Sequence, residues 1–303
     1  MKPKVFIHTN ARQLVGALVG QHSMRKHSRH NDAFEVEILR LEDQPHLHHR
    51  HGRRYLREGR RVRWNNDDLQ SFTPLRFLPP QIMGYQGRAL VTDPDVFACT
   101  DVYELLSRDM GDKAIVCRRI EPDDGRPPYF ASSVMLLDCA KLRHWRWEEQ
   151  IDAMFDFRLD YRAWISLASE DEDTIGELEA EWNHFDTLTS GTRLLHNTSR
   201  ATQPWKTGLP IDFVPRQRPR RRKFGIIPRH QWKGFRSWLG GRGYRPYGSY
   251  ASHPDPAQVE FFFRLVRECI ESGVFDLEFL RSEIRRQHLR PDATDIVGAI
   301  RSA

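Results

Sequence analysis

Cysteine is scarce in this chain. Cys99, Cys117, Cys139 and Cys269 lie far apart in 303 residues, with no CxxC pair. This spacing argues against a zinc knuckle or a disulfide framework and leads us to expect reduced thiols in a cytoplasm. Long apolar runs are also missing, since no stretch approaches the roughly 18 residues that a bilayer-crossing helix needs. No secretory leader is expected, because Val5-Phe6-Ile7 already reads as a strand. GxSxG, P-loop and HExxH motifs are absent, which removes the usual sequence signal of three large enzyme classes. Neither sign of charge dominates: 47 Lys and Arg against 41 Asp and Glu give a net +6. So mild an excess favours anionic partners without choosing among them.

What remains is enough for a packed core. Hydrophobic residues are 39% and charged residues 29%, a balance that excludes wholesale disorder. The first half alternates strand-like and helix-like segments. Val5–Ile7, Phe34–Ile38, Arg88–Thr92, Ala114–Cys117 and Val134–Leu137 read as strands. Arg12 to Lys26 reads as a helix, with Leu14, Val15, Leu18 and Val19 on one face. Asp101 is placed to cap a helix through Leu106, with Glu104 completing a capping box. Such alternation predicts an α/β sheet flanked by helices.

Two stretches differ. Residues 43–68 crowd His46, His48, His49 and His51 together with many arginines, and we read them as an exposed, solvated basic excursion. Transition-metal binding by the histidines and contact with an anionic acceptor are the alternatives. Residues 207–256 are rich in Pro, Gly and Arg and include the run Arg216–Lys223. That run is either a solvated linker or a patch for anionic lipid. Nothing around it matches a nucleic-acid-binding signature. Two helices are predicted beyond, from Ala257 to Ser272 and from Asp276 to His288, with Phe261, Phe262 and Phe263 as core or docking face.

The segment most informative for chemistry is Leu90-Val91-Thr92-Asp93-Pro94-Asp95. Two carboxylates one residue apart can face the same side of an extended chain, and hard divalent cations take oxygen ligands of this kind. A second acidic triplet, Asp171-Glu172-Asp173, sits in an acidic run typical of a solvated turn. The alternative for Asp93 and Asp95 is a strand-to-loop turn whose carboxylates cap backbone amides.

Several segments together resemble the family 8 glycosyltransferases. They are Phe72–Pro79 with Arg76, Gly84–Asp95, Asp101–Leu106, Phe130–Leu136, Glu181-Trp182-Asn183, and Leu194–Ser199 followed by Gln203-Pro204-Trp205-Lys206. The resemblance covers roughly residues 3–208. It implies a GT-A fold, a mixed α/β sheet flanked by helices. The expected organisation is a catalytic domain over 1–208, a basic linker over 209–256 and a helical extension over 257–303.

The same resemblance implies Asp93, Asp95 and His196 as ligands of Mn²⁺ (or Mg²⁺); an imidazole donor favours the former. It places Thr9, Asn10, Arg76 and Lys206 against a nucleotide-sugar, and offers Asp171 and Ser132 as catalytic candidates. The implied activity is transfer of a hexose from a UDP-sugar to a glycan, lipid or protein, with retention. The expected location is the cytoplasm, with peripheral contact at the inner face of a membrane. Two rival expectations stand beside it. One is a catalytically degenerate relative that binds nucleotide-sugar or glycan. The other is a basic protein that binds membrane or nucleic acid through its tail.

Overall fold

The computed structural model describes residues 1–122, 125, 127–213, 222–223, 227–228 and 248–300. It divides into two compact units, Met1–Thr198 and Ser199–Ala303.

The first unit is built on a six-stranded sheet. Its strands are β1 (Lys4–Thr9), β2 (Glu35–Arg40), β5 (Arg88–Thr92), β7 (Ile115–Ile120), β8 (Tyr129–Asp138) and β9 (Ile175–Glu177). Their order is β2-β1-β5-β8-β7-β9. β1 pairs in parallel with both β2 and β5, and β7 in parallel with β9, while β8 runs antiparallel to β5 and β7. Five strands therefore point one way and β8 the other. Strands buried on both faces read as continuous apolar runs, which is why Val5-Phe6-Ile7 and Ala89-Leu90-Val91 were visible in the sequence. Alternate residues feed opposite cores. Phe6 and Val91 join the aromatic side with Phe77, Trp145 and Trp164; Val5, Ile7 and Leu90 join the aliphatic side with Ala17 and Met24.

Helices cover both faces. α1 (Leu14–Lys26) follows β1, and α2 (Pro45–His48) and α3 (Pro79–Ile82) are single turns. α4 (Tyr103–Leu106), α5 (Trp147–Phe155) and α6 (Tyr161–Ile165) complete the unit's helices. A side chain at Gly20 of α1 would meet the Val96 carbonyl at 3.0 Å, so glycine lets the helix press against β6 (Val96–Ala98). β6 belongs to a second sheet, ordered β10-β11-β6, with β10 (His184–Phe185) and β11 (Leu194–His196).

The basic stretch 43–68 is not wholly solvated. It folds as a hairpin of β3 (Arg54–Arg57) and β4 (Arg60–Arg63), and Tyr55 and Trp64 are 5% and 4% exposed. Both rings meet Phe155 and Tyr161 at centroid distances between 5.6 and 6.5 Å. Burying two such rings contributes several kcal/mol and outweighs the polarity of their neighbours.

The second unit holds α7 (Pro256–Glu271), α8 (Leu277–Arg285) and α9 (Ala293–Ala299). The first two match the predicted helices within a few residues; the third was not foreseen. Asp255 and Asp276 cap α7 and α8 through their side chains, satisfying backbone amides at the first turn. Phe262 and Phe263 are core residues, with Phe262 stacked on Trp205 at 4.7 Å. Most of the basic stretch 209–256, including the whole run Arg216–Lys223 apart from the backbone at 222–223, lies outside the described residues. No helix among the described residues is long and apolar enough to cross a membrane.

The expected capping box at Asp101 is replaced by a different arrangement. Asp101 does accept from the Tyr103 amide at 2.9 Å, but Glu104 turns outward to Arg193. The other carboxylate oxygen takes the Arg29 amide and the His30 ring at 3.0 and 2.9 Å. Burial pushes the Asp101 carboxyl up, yet hydrogen bonds from Ser28, Tyr103, His30 and Arg29 outweigh it and hold the pKa down to about 2. A depressed carboxylate stabilises the fold above its unfolded value near 4, and the stabilisation disappears as pH falls toward 2. Asp101→Asn should therefore cost about 2 kcal/mol at pH 7, with urea midpoints of the two proteins converging below pH 4.

Candidate functional site

In an open sheet, the crevice for a ligand lies at the carboxyl ends of the strands, where successive connections leave in opposite directions. Here that point is between β1 and β5: the chain passes from β1 outward to β2, then back across to β5 on β1's other side. Register pairs Ile7 with Thr92. The next residues, His8 (still paired with Leu39 of β2) and Asp93 (just past the end of β5), therefore lie side by side.

Asp93 is buried and held by two residues, His8 and Arg76. His8 Nε2 donates to its Oδ1 at 2.6 Å. Arg76 Nε and Nη2 donate to the same oxygen at 2.9 and 2.7 Å, and Nη2 also reaches Oδ2. Such a fork-to-carboxylate pair is stronger and more directional than a single hydrogen bond. The third guanidinium nitrogen, Nη1, donates to Ser132 Oγ at 2.8 Å, and that hydroxyl donates onward to the Ile165 carbonyl at 2.5 Å. Burial alone would raise the Asp93 pKa, but Arg76, His8 and His196 together hold it well below the usual carboxylate range. Burial drives the His8 pKa down against the pull of Asp93, so its ring is neutral. His8 Nδ1 is buried without a hydrogen-bond partner among the described residues.

The other half of the site arrives through the second sheet. β6 begins directly after Asp95, and its antiparallel pairing with β11 sets Val96 opposite His196. The Asn197 amide then donates to the Asp95 carbonyl at 3.0 Å. His196 Nε2 lies 3.2 Å from Asp95 Oδ1. Its Nδ1 donates to Asn183 Oδ1 at 2.8 Å, and Asn183 Nδ2 donates to Ser133 Oγ at 3.1 Å. The amide is thus oriented with its oxygen toward the ring, which leaves Nε2 as the atom facing the carboxylates. Outer contacts of this kind fix which nitrogen of a ligating histidine faces a metal. Arg118 completes the support by donating to the Asn183 carbonyl at 2.7 Å. Burial lowers the His196 pKa, but Asp95 and Asp93 outweigh it and leave it above the ordinary value.

Ligand atoms of Asp93, Asp95 and His196 all lie within 4.8 Å of one another. This is the one such cluster of three or more ligating side chains among the described residues. Two carboxylates and an imidazole are a chemically suitable donor set for a divalent ion, and the Asn183–His196 contact aims the imidazole correctly. The histidines at 46–51 form no comparable group; His46 instead contacts Asp152 at 2.9 Å.

The other predicted residues fall in varied places. Arg76 faces Asp93, as described. Ser132 is buried and holds Arg76. Thr9 and Asn10 sit at the end of β1, where Asn10 caps the following turn. Its amide donates to Ser71 Oγ and the Asp68 carbonyl at 2.9 and 3.0 Å, tying down the segment after the hairpin. Asp171 lies just before β9, at the opposite edge of the sheet, where its side chain caps a short turn. Lys206 is in the second unit, fully buried, with its ammonium 3.1 Å from Asp212 and over the Tyr250 ring. A phosphate contact would require it to give up that pair. His8, Asn183's contact with Ser133, and Arg118 were not anticipated. Only strand register and the pairing of β6 with β11 identify them.

The sequence matches no protein-family model and no curated protein. Among solved structures it is similar to the glycosyltransferase GlyE of Streptococcus pneumoniae TIGR4 (TM-score 0.47, 15% identity, covering 67% of this chain and 56% of that one). It is also similar to the galactosyltransferase LgtC in complex with donor and acceptor sugar analogues (0.45, 15%, 67% and 89%). Mouse xyloside xylosyltransferase 1 is a third (0.43, 13%, 66% and 98%). The chain thus spans little more than half of GlyE.

Removing one member of a buried ion pair strands the other. Arg76→Ala should cost about 3–5 kcal/mol, read from denaturant midpoints. Arg76→Lys should recover part of that loss by restoring charge without the fork.

Proposed function

We propose that this chain is a metal-dependent glycosyltransferase of the GT-A type, using a nucleotide-diphosphate sugar, with UDP-hexose as the donor. The observation that carries this is the convergence of Asp93, Asp95 and His196 at the sheet's switch point, beside an arginine fork. Asp95, His196 and the outer oxygen of Asp93 are the groups that would hold the divalent ion, with Mn²⁺ preferred because one donor is an imidazole. When bound, the ion supplies Lewis-acid neutralisation of the charge that develops on a departing diphosphate.

The protein's own residues prepare that chemistry. Arg76 and His8 fix the Asp93 carboxylate, so little reorganisation is needed when a ligand arrives. Asn183 keeps His196 Nε2 turned toward Asp95. Thr9 and Asn10 close the end of β1, on the side assigned to the nucleoside. Neither Asp171 nor Ser132 is assigned a step, because one lies at the far sheet edge and the other is occupied with Arg76 and Ile165. The family 8 resemblance implies a same-face displacement with retention, in which binding geometry and charge stabilisation do most of the work. The four cysteines are free thiols, which supports a cytoplasmic setting.

The test is release of nucleoside diphosphate from a panel of donor sugars, with and without Mn²⁺. Asp95→Ala should abolish metal-dependent release, and calorimetry should show Mn²⁺ binding lost. Asn183→Ala should weaken Mn²⁺ affinity about 10- to 100-fold while leaving the ligands in place. Donor turnover that is unaltered in Asp95→Ala would remove the metal from the mechanism.

A further inference from the structure

The β3–β4 hairpin has a charge problem that its own fold does not solve. Residues 50–63 contain seven arginines and no lysine, with Glu58 as their single carboxylate. The register sets Arg54 directly opposite Arg63 and Arg57 opposite Arg60. Like charges facing each other across a strand pair are destabilising. Arg50 is neutralised by Asp152, but Arg54, Arg60 and Arg63 are exposed and form no ion pair among the described residues. Asp160, which caps α6, is turned to the Gly59 amide at 2.9 Å. Nor is there a carboxylate anywhere in the sequence between Asp212 and Asp255. The hairpin is nevertheless held rigidly, since Tyr55 and Trp64 anchor it while Arg57 and Arg61 lie over the Tyr161 and Phe157 rings at 5.1 and 4.1 Å.

Its position matters as much as its charge. Tyr161, beneath Arg57, opens α6, and Ile165 at the end of α6 accepts from the Ser132 hydroxyl that holds Arg76. The chain leaving the hairpin is tied to Asn10 at the end of β1. The hairpin is therefore linked to the surroundings of the Asp93 cluster through one short helix and through Asn10.

We propose that this hairpin is the docking surface for the acceptor, and that the acceptor is an acidic glycan carrying carboxylate or phosphate groups. The proposal rests on the glycosyltransferase function argued above. Three observations select this occupant. Arginine alone, without lysine, suits paired hydrogen bonding to discrete oxyanions rather than diffuse attraction. The hairpin's aromatic rings are buried, so no platform for stacking nucleobases is offered. Among its residues, Val62 is the one exposed large apolar side chain, too little to insert into a lipid surface.

The experiment uses the full chain and fluorescence anisotropy. The probes are a labelled uronate-containing decasaccharide, a sugar-phosphate oligomer of similar length and an uncharged maltodecaose. Vesicles containing anionic phospholipid and a 20-nucleotide DNA strand are presented as competitors. The variants are Arg54→Glu/Arg60→Glu/Arg63→Glu and the corresponding triple substitution to Lys. We expect at least one acidic probe to bind, and the triple Glu variant to weaken it by about tenfold or more. The Lys variant should weaken it about threefold, because charge remains but the fork is lost. Whichever of uronate and sugar phosphate binds tighter identifies the anion. Mn²⁺ and UDP binding by calorimetry should be the same in all three proteins. If the acidic probes bind the triple Glu variant as well as the original chain, or bind no better than maltodecaose, the proposal is overturned. It is equally overturned if vesicles or DNA displace them at lower concentration. Absence of Mn²⁺ and UDP binding from the unmodified chain would instead remove the glycosyltransferase function, and the oligosaccharide titrations would still decide the hairpin's specificity.

Discussion

The buried pair between Arg76 and Asp93 is the interaction on which the site depends. A carboxylate taken out of water at the end of a central strand is costly unless its charge is met by well-placed donors. Arg76 meets it with two nitrogens and spends the third on Ser132, while His8 approaches from the neighbouring strand. That arrangement ties three parts of the first unit together: the switch point of the sheet, the short helical turn carrying Arg76, and the end of α6. It also turns Asp93 into a fixed point, from which the positions of Asp95 and His196 follow.

Much of this fold was legible in the sequence, and the parts that were not share a physical reason. β1 and β5 were plain because strands covered on both faces need uninterrupted apolar residues. Asp93 and Asp95 stood out as paired carboxylates at a strand end, His196 joined them only through the family 8 resemblance, and the ligand atoms of all three lie within 4.8 Å of one another. His8 was hidden because its meaning depends on which residue of β5 lies beside it, and register is not written in either strand alone. The alternating burial of Tyr55 and Trp64 was masked by the arginines around them. Lys206 was expected against a nucleotide-sugar, yet its ammonium pairs with Asp212 and lies over the Tyr250 ring. Asp171 shared a motif with Asp93, but its acidic run already set it apart in the sequence, and the structure places it before the edge strand β9 as the cap of a short turn.

The two units use charge differently. Among the described residues of the second unit, buried Glu283 receives His288 at 2.8 Å and Arg286 at 3.1 Å, and Arg290 grips Asp292. In the first, the interior is balanced at Asp93, whereas the β3–β4 hairpin displays arginines that its own neighbours leave unanswered. A surface that is rigid and unbalanced stores little energy in rearrangement, so most of its attraction is available to whatever anion arrives.

The pairing of β6 with β11 carries a consequence for how the molecule is made. Asp95 and His196 are separated by about a hundred positions along the chain, and closing so long a loop is slow and entropically opposed. A nascent chain that has emerged only as far as β9 holds both acidic groups but lacks the imidazole. The donor set of the proposed metal site is thereby complete only once the last strand of the first unit has paired with β6.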